Sequence, residues 1–260
     1  MPDLGPETLA LLAAVALLAG FVDAIAGGGG LLTIPALALA GIDPVAALAT
    51  NKLQSTFGSG AATLAFARAG HIDLRAMAAP ALASAAGSVA GVLLLSRLPH
   101  DFLALALPAA LALVALYFLL APRIGDADRA ARWPARAFNL GIVPLVGAYD
   151  GVFGPGTGSF FMIGFVALRG MGMIRATAHT KLCNFASNAA ALAIWTTQGQ
   201  ILWPAGLAMG LAQLAGAHIG AATAMRSGSA LVRPLLVAIC LALALRLAWQ
   251  QATLAGLLPL

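Results

Sequence analysis

Charge is scarce in this chain: only 9% of its 260 residues are Asp, Glu, Lys or Arg. That is too little to clothe a water-soluble protein of this length. Cysteine is almost absent, with Cys183 and Cys240 in apolar segments and no CxxC or His/Cys spacing. The spacing argues against a disulfide framework or a zinc site, so both thiols read as packing groups. Short alternating segments are also missing, which argues against a β-barrel. The first residues, Met1 to Thr8, hold Asp3 and Glu7 and no basic n-region. The apolar run behind them is therefore expected to be a retained transmembrane helix and not a cleaved signal peptide. The net charge of +5 and pI near 10 raise the question of nucleic acid. The arginines, however, stand singly at the ends of apolar runs, outside any aromatic patch. They read as topology signals, and no nucleic-acid partner is expected.

What is present is hydrophobicity: 61% of residues and a mean hydropathy of +0.95. Those values belong to an all-α polytopic membrane protein with the lipid bilayer as its surroundings. Leu9 to Ala26 is long enough to span and ends at Gly27-Gly28-Gly29-Gly30, which cannot continue as regular helix. Leu31 to Ala40 extends only about 15 Å and must be half-buried or re-entrant, as must the segment from Gly158 to Arg169 if it does not span. Pro44 to Ala69, Ala76 to Ser96 and Phe102 to Ala121 follow. The most polar stretch, Pro122 to Arg136, divides the chain into a first transmembrane repeat (1–121), a linker (122–136) and a second repeat (137–260).

The halves repeat. Gly20-x-x-Asp23-x-x-x-Gly27 matches Gly147-x-x-Asp150-x-x-x-Gly154 at an offset of 127, and Lys52-Leu53 matches Lys181-Leu182 at 129. Gly87-x-x-x-Gly91 and Gly216-x-x-x-Gly220 share the second offset and read as close helix-packing sites. A duplicated unit with broken helices in matching places is the pattern of secondary transporters. With about five segments per half, the second repeat is inverted. An outside amino terminus then places Arg68, Arg75, Arg123, Arg129, Arg132, Arg136, Arg169, Arg175, Arg226 and Arg233 on the cytoplasmic side. Arg97 alone lies in an outer loop, and Arg246 near an outer helix end. The alternative, eight helices as four plus four in parallel, scatters these arginines over both sides, so the positive-inside rule favours inversion.

Lysine is the rarest charge, present only as Lys52 and Lys181, both inside long apolar runs. An ammonium there is expensive to hold unless an anionic group meets it. Lys52 lies about 12 Å along its helix from the outer turn, at a depth similar to the glycine break. By inversion Lys181 and the break from Gly154 to Gly158 lie equally deep from the inner face. Helix starts expose backbone N–H groups and a positive dipole end, and beside a lysine they make an anion site. The candidate binding residues are Lys52, Lys181, Asn51, Thr180, Gln54, Ser55, Asn184 and Asn188, with Gly28, Gly29, Gly30, Gly156, Thr157 and Gly158 at the breaks. Asp23, Asp150 and His179 are titratable neighbours with a structural or coupling role. The bland alternatives are ion pairs between the lysines and Asp23 and Asp150, glycines kept for packing, and a core histidine. Pairing and substrate contact are compatible if each aspartate neutralises its lysine until anion arrives. His71, His100 and His218 show no ligand spacing, so no metal and no cofactor is expected.

Gly20 to Pro35, Ala49-Thr50-Asn51-Lys52-Leu53, the second-half run Gly147 to Gly158 and Thr180-Lys181 resemble the TauE/SafE sulfite exporter family of bacterial membrane proteins. The resemblance covers almost the whole chain. It implies movement of sulfite, sulfonates or related sulfur anions and small carboxylates across the inner membrane. His179-Thr180-Lys181 departs from Thr50-Asn51-Lys52, so contacts to the anion need not be symmetric. The expectation is a non-enzymatic secondary transporter of a small anion working by alternating access; GxxxG faces leave a homo-oligomer open. Two rivals remain. A cation- or proton-coupled carrier would use Asp23 and Asp150 as ligands. An intramembrane hydrolase built on Ser159 and His179 is disfavoured, because Thr157 and Phe161 flank that serine without a GxSxG.

Overall fold

A computed structural model describes residues 4–95 and 127–228, with single positions 230, 231, 234, 238 and 249 beyond them. The expected segment Phe102 to Ala121, the boundary at 121 and 122, and Arg97, His100, Arg123, Arg233, Cys240 and Arg246 lie outside the described residues. Every regular element among the described residues is helical. In chain order these are α1 (Pro6–Ala26), α2 (Gly30–Leu39), α3 (Pro44–Arg68), α4 (Leu74–Leu95), α5 (Val143–Val152), α6 (Thr157–Ala167), α7 (Met173–Gln198) and α8 (Trp203–Ser227). A helical turn, Ala135–Ala137, and a π-helical segment, Phe138–Ile142, lead into α5.

Starts and stops follow local chemistry. Proline stands in the first helical turn of α1, α3, α5 and α8, where its missing N–H costs no hydrogen bond. The Asp43 carboxylate accepts from the Val45 and Ala46 N–H groups and fixes the start of α3. The Gly58-Ser59-Gly60 step inside α3 does not break it, because each glycine seats a neighbour's side chain: Gln213 against Gly58 and Phe185 against Gly60.

Among the described residues three helices, Pro6–Ala26, Leu74–Leu94 and Trp203–Ser227, are long and apolar enough to cross a membrane. With 25 and 26 residues, α3 and α7 are long enough but too polar. They are shielded instead, α3 packing against α8 and α7, and α7 against α4 and α3. The 10 residues of α2 and 11 of α6 reach roughly 15–17 Å, about half of a bilayer's apolar core.

The halves are exchanged in packing. The first helix of each lies on the last described helix of the other: α1 on α8 and α5 on α4. Small residues let these backbones touch, and the contact is duplicated. A Cβ on Gly216 or Gly220 would overlap the Leu17 or Phe21 carbonyl. A Cβ on Gly87 or Gly91 would overlap those of Pro144 and Ala148, the matching positions of the second half. Gly20 against Gln213 and Gly147 against Ser84 repeat the relation from the other side. The paired GxxxG runs therefore pack helices within one chain.

The described part of the linker is bound to the turn between α6 and α7. The Gly172 N–H donates to the Asp128 carboxylate at 2.8 Å, and Arg175 pairs with the same group. That backbone bond, with Arg175 beside it, holds the Asp128 carboxyl below its ordinary range. The Arg129 N–H donates to the Gly170 carbonyl, and the Arg132 and Trp133 N–H groups to that of Leu168.

Candidate functional site

The site is built where two broken helices meet. After α1, Gly27 takes φ 81°, and after α5, Gly154 and Gly156 take φ 86° and 79°. An L side chain resists that conformation, so the chain can reverse sharply at these points and start α2 and α6. The breaks also touch: a Cβ on Gly27 would lie 2.6 Å from the Gly158 Cα, and one on Gly30 would lie 3.4 Å from the Pro155 Cα. Each aspartate reaches forward from its first helix to the start of the next arm. Asp23 Oδ1 accepts the Gly29 N–H at 3.2 Å, and Asp150 Oδ1 accepts the Thr157 hydroxyl at 2.8 Å. Both contacts place a carboxylate near the positive end of a helix.

Both lysines are fully buried, with exposures of 2% and 0%. Lys52 Nζ donates to the Asp150 backbone carbonyl at 2.5 Å and to Asn188 Oδ1 at 3.2 Å, and lies 2.9 Å from Asp150 Oδ2. Lys181 Nζ donates to the Asp23 carbonyl and lies 3.1 Å from Asp23 Oδ2. The sequence-based expectation set each lysine beside the break of its own half. The structure corrects this: each serves the other half, joining α3 to α5 and α7 to α1. The reason lies in the packing, since α3 lies against α7, and α7 also reaches α1.

Between the breaks lies a polar cavity lined by Asp23, Gly27, Gly30, Asn51, Ser55, Asp150, Gly154, Gly156, Gly158, Asn184 and Asn188. Its volume is about 10 Å³, the scale of one water. A larger groove of about 630 Å³, lined by residues such as Leu145, Tyr149 and Ile163, is apolar and offers an anion nothing.

Of the candidate residues, Asn51, Ser55, Asn184, Asn188, Gly30, Gly156 and Gly158 border the cavity with both aspartates. Lys52 and Lys181 stand behind those aspartates. Gln54 supports Asn51 from behind at 2.8 Å, and Gly29 and Thr157 hold the carboxylates. Gly28 lies in the break, and Thr180 is fully buried with its hydroxyl unpartnered among the described residues. His179 packs edge-on against Phe165 and does not line the cavity. No hydrogen bond among the described residues joins it to Ser159, whose hydroxyl donates to the Ala26 carbonyl. Sequence reasoning missed Thr33, whose hydroxyl lies 2.7 Å from Asn51 Oδ1 and 3.2 Å from the Gly29 carbonyl and can give its one proton to either. Its only signal was a hydroxyl one turn past the break in an otherwise apolar arm.

With these residues in place, comparison with known proteins is informative. The profile of the family described as Sulfite exporter TauE/SafE matches residues 12–247. The chain belongs to that family. "Probable membrane transporter protein ORF9" of Sinorhizobium sp. is 53% identical over 247 residues, covering 95% of each chain. The "Probable membrane transporter protein" of Haemophilus influenzae is 40% identical over 96% of this chain and 98% of its own. "Probable membrane transporter protein YfcA" of Escherichia coli is 41% identical over 95% and 91%. No solved structure matches. The protein is a membrane transporter of the TauE/SafE family.

Proposed function

We propose that the protein is a secondary transporter of a small anion such as sulfite, an organosulfonate or a related carboxylate. One observation carries the reading: two buried lysines from different halves converge on two helix breaks around one closed polar cavity. Intramembrane charges at such a junction are costly to keep for packing alone. The family description, Sulfite exporter, agrees with the chemistry. The anion would sit between Asn51, Ser55, Asn184 and Asn188, with the lysines supplying charge and the break amides hydrogen bonds. Two inverted repeats of about five segments each would rock about this point, in a bacterial inner membrane with the linker cytoplasmic.

The test is uptake of radiolabelled sulfite and small sulfonates into proteoliposomes. Transport is expected in the native protein and absent in Lys52→Ala and Lys181→Ala. Unchanged transport in both variants removes the lysines from the mechanism. A cation carrier has one observation in its favour, the two aspartates on the cavity wall. It is chosen instead if sodium or potassium moves without any anion and Asp23→Asn and Asp150→Asn abolish that movement.

A further inference from the structure

Two carboxylates line the cavity and each pairs with an ammonium behind it, so the net charge there is zero before any guest arrives. An ammonium has three protons to donate. Lys52 donates two hydrogen bonds, to the Asp150 carbonyl and Asn188 Oδ1, and lies 2.9 Å from Asp150 Oδ2, a buried oxygen that accepts no hydrogen bond among the described residues. An anion that takes Lys52 as its counter-ion displaces the Asp150 carboxylate, its only anionic neighbour among the described residues. Displaced, that carboxylate would remain ionised and unpaired beside a second negative charge, in a space the size of one water.

We infer that Asp150 takes up one proton as the anion binds Lys52, so that anion and proton cross together and carriage is electroneutral. This rests on the anion-carrier reading above. In the step, a proton from the aqueous side bonds to Asp150 Oδ2. The third Lys52 N–H turns to an anion oxygen, and both passengers leave on the far side. Thr157 keeps its bond to Oδ1 and holds the neutral carboxyl in place.

The other groups facing Asp150 leave it as the acceptor. On α3 the neighbour is Lys52, and on α7 it is neutral Asn188. On α6 it is Thr157, while α4 presents Ser88 against Gly151 and no titratable group. The adjacent Tyr149 hydroxyl already donates to the Pro155 carbonyl at 2.6 Å. Across the cavity Asp23 pairs with Lys181. Both Asp23 carboxylate oxygens accept hydrogen bonds, Oδ1 from the Gly29 N–H and Oδ2 from Lys181, whereas Asp150 Oδ2 accepts none among the described residues. The demand for a proton therefore falls on Asp150.

Methanesulfonate is the probe, because it is a strong-acid anion and carries no proton of its own. Proteoliposomes with a pH-sensitive dye inside and valinomycin to set the potential report both passengers. An inward methanesulfonate gradient is expected to acidify the lumen, at a rate that does not change with membrane potential. Affinity of the purified protein should weaken about tenfold per pH unit on the alkaline side, as linkage of one proton requires. Asp150→Asn should bind with no pH dependence and move the anion electrogenically, whereas Asp23→Asn should keep the coupling. Methanesulfonate flux that follows the potential and moves no protons in the native protein overturns the coupling while anion carriage stands. Proton movement retained in Asp150→Asn overturns the choice of residue. If none of the sulfur anions or carboxylates moves, carriage fails and the coupling with it.

Discussion

The crossed ion pairs can be tested by a double-mutant cycle that separates them from pairing within one half. Lys52 Nζ and Asp150 Oδ2 are 2.9 Å apart, which at an effective dielectric constant near 20 corresponds to roughly 6 kcal/mol of attraction. Desolvation of two fully buried groups offsets much of that, so the pair's net worth is small while the loss of one member is expensive. Lys52→Met leaves a buried carboxylate facing no cation and should destabilise by about 3–5 kcal/mol. Asp150→Asn should cost a similar amount, and each should lower Tm in detergent by about 10 °C. The double variant carries no uncompensated charge and should fall short of the sum by about 3 kcal/mol. Lys52→Met with Asp23→Asn is the control, and its coupling should stay below about 1 kcal/mol because these two are not partners. Thermal unfolding of the three single variants, the two double variants and the native protein gives both cycles. A larger coupling between Lys52 and Asp23 than between Lys52 and Asp150 would refute the crossed geometry.

Two further outcomes test the frame around the site. Gly91→Ala should destabilise by about 1–3 kcal/mol, because its new methyl meets the Ala148 carbonyl on a rigid helix. Gly141→Ala, with open space around it, should be neutral in the same thermal assay. Reporter fusions after Gly125, Gly172 and Gly228 should all report the cytoplasm; an outside signal from any of them contradicts the proposed five-plus-five inversion, whereas parallel repeats of four crossings predict mixed signals.

Much of the site was readable in one dimension. A lysine inside an apolar run is rare for an energetic reason, so Lys52 and Lys181 announce themselves without structure. The four-glycine run cannot remain helical, and the structure breaks there, with α1 ending at Ala26 and α2 starting at Gly30. The GxxxG pairs were legible as packing surfaces, though their partners were not. Thr33 was invisible because a single hydroxyl in an apolar helix gives no sign of which way it faces, and Ser159 was legible only as a candidate nucleophile. Their hydroxyls turn out to lie within hydrogen-bond reach of the Gly29 and Ala26 carbonyls at the first break.

Composition by itself determined that this chain is a helical membrane protein, and the repeat by itself paired Lys52 with Lys181 and Asp23 with Asp150. Those conclusions follow from transfer energies and register, which are local properties. Only the tertiary structure decided which lysine meets which aspartate. Sequence offset relates positions that are equivalent, whereas an ion pair joins positions that are adjacent. Because α1 packs on α8 and α5 on α4, the two halves are interleaved, and each lysine finds its counter-charge in the half it does not belong to.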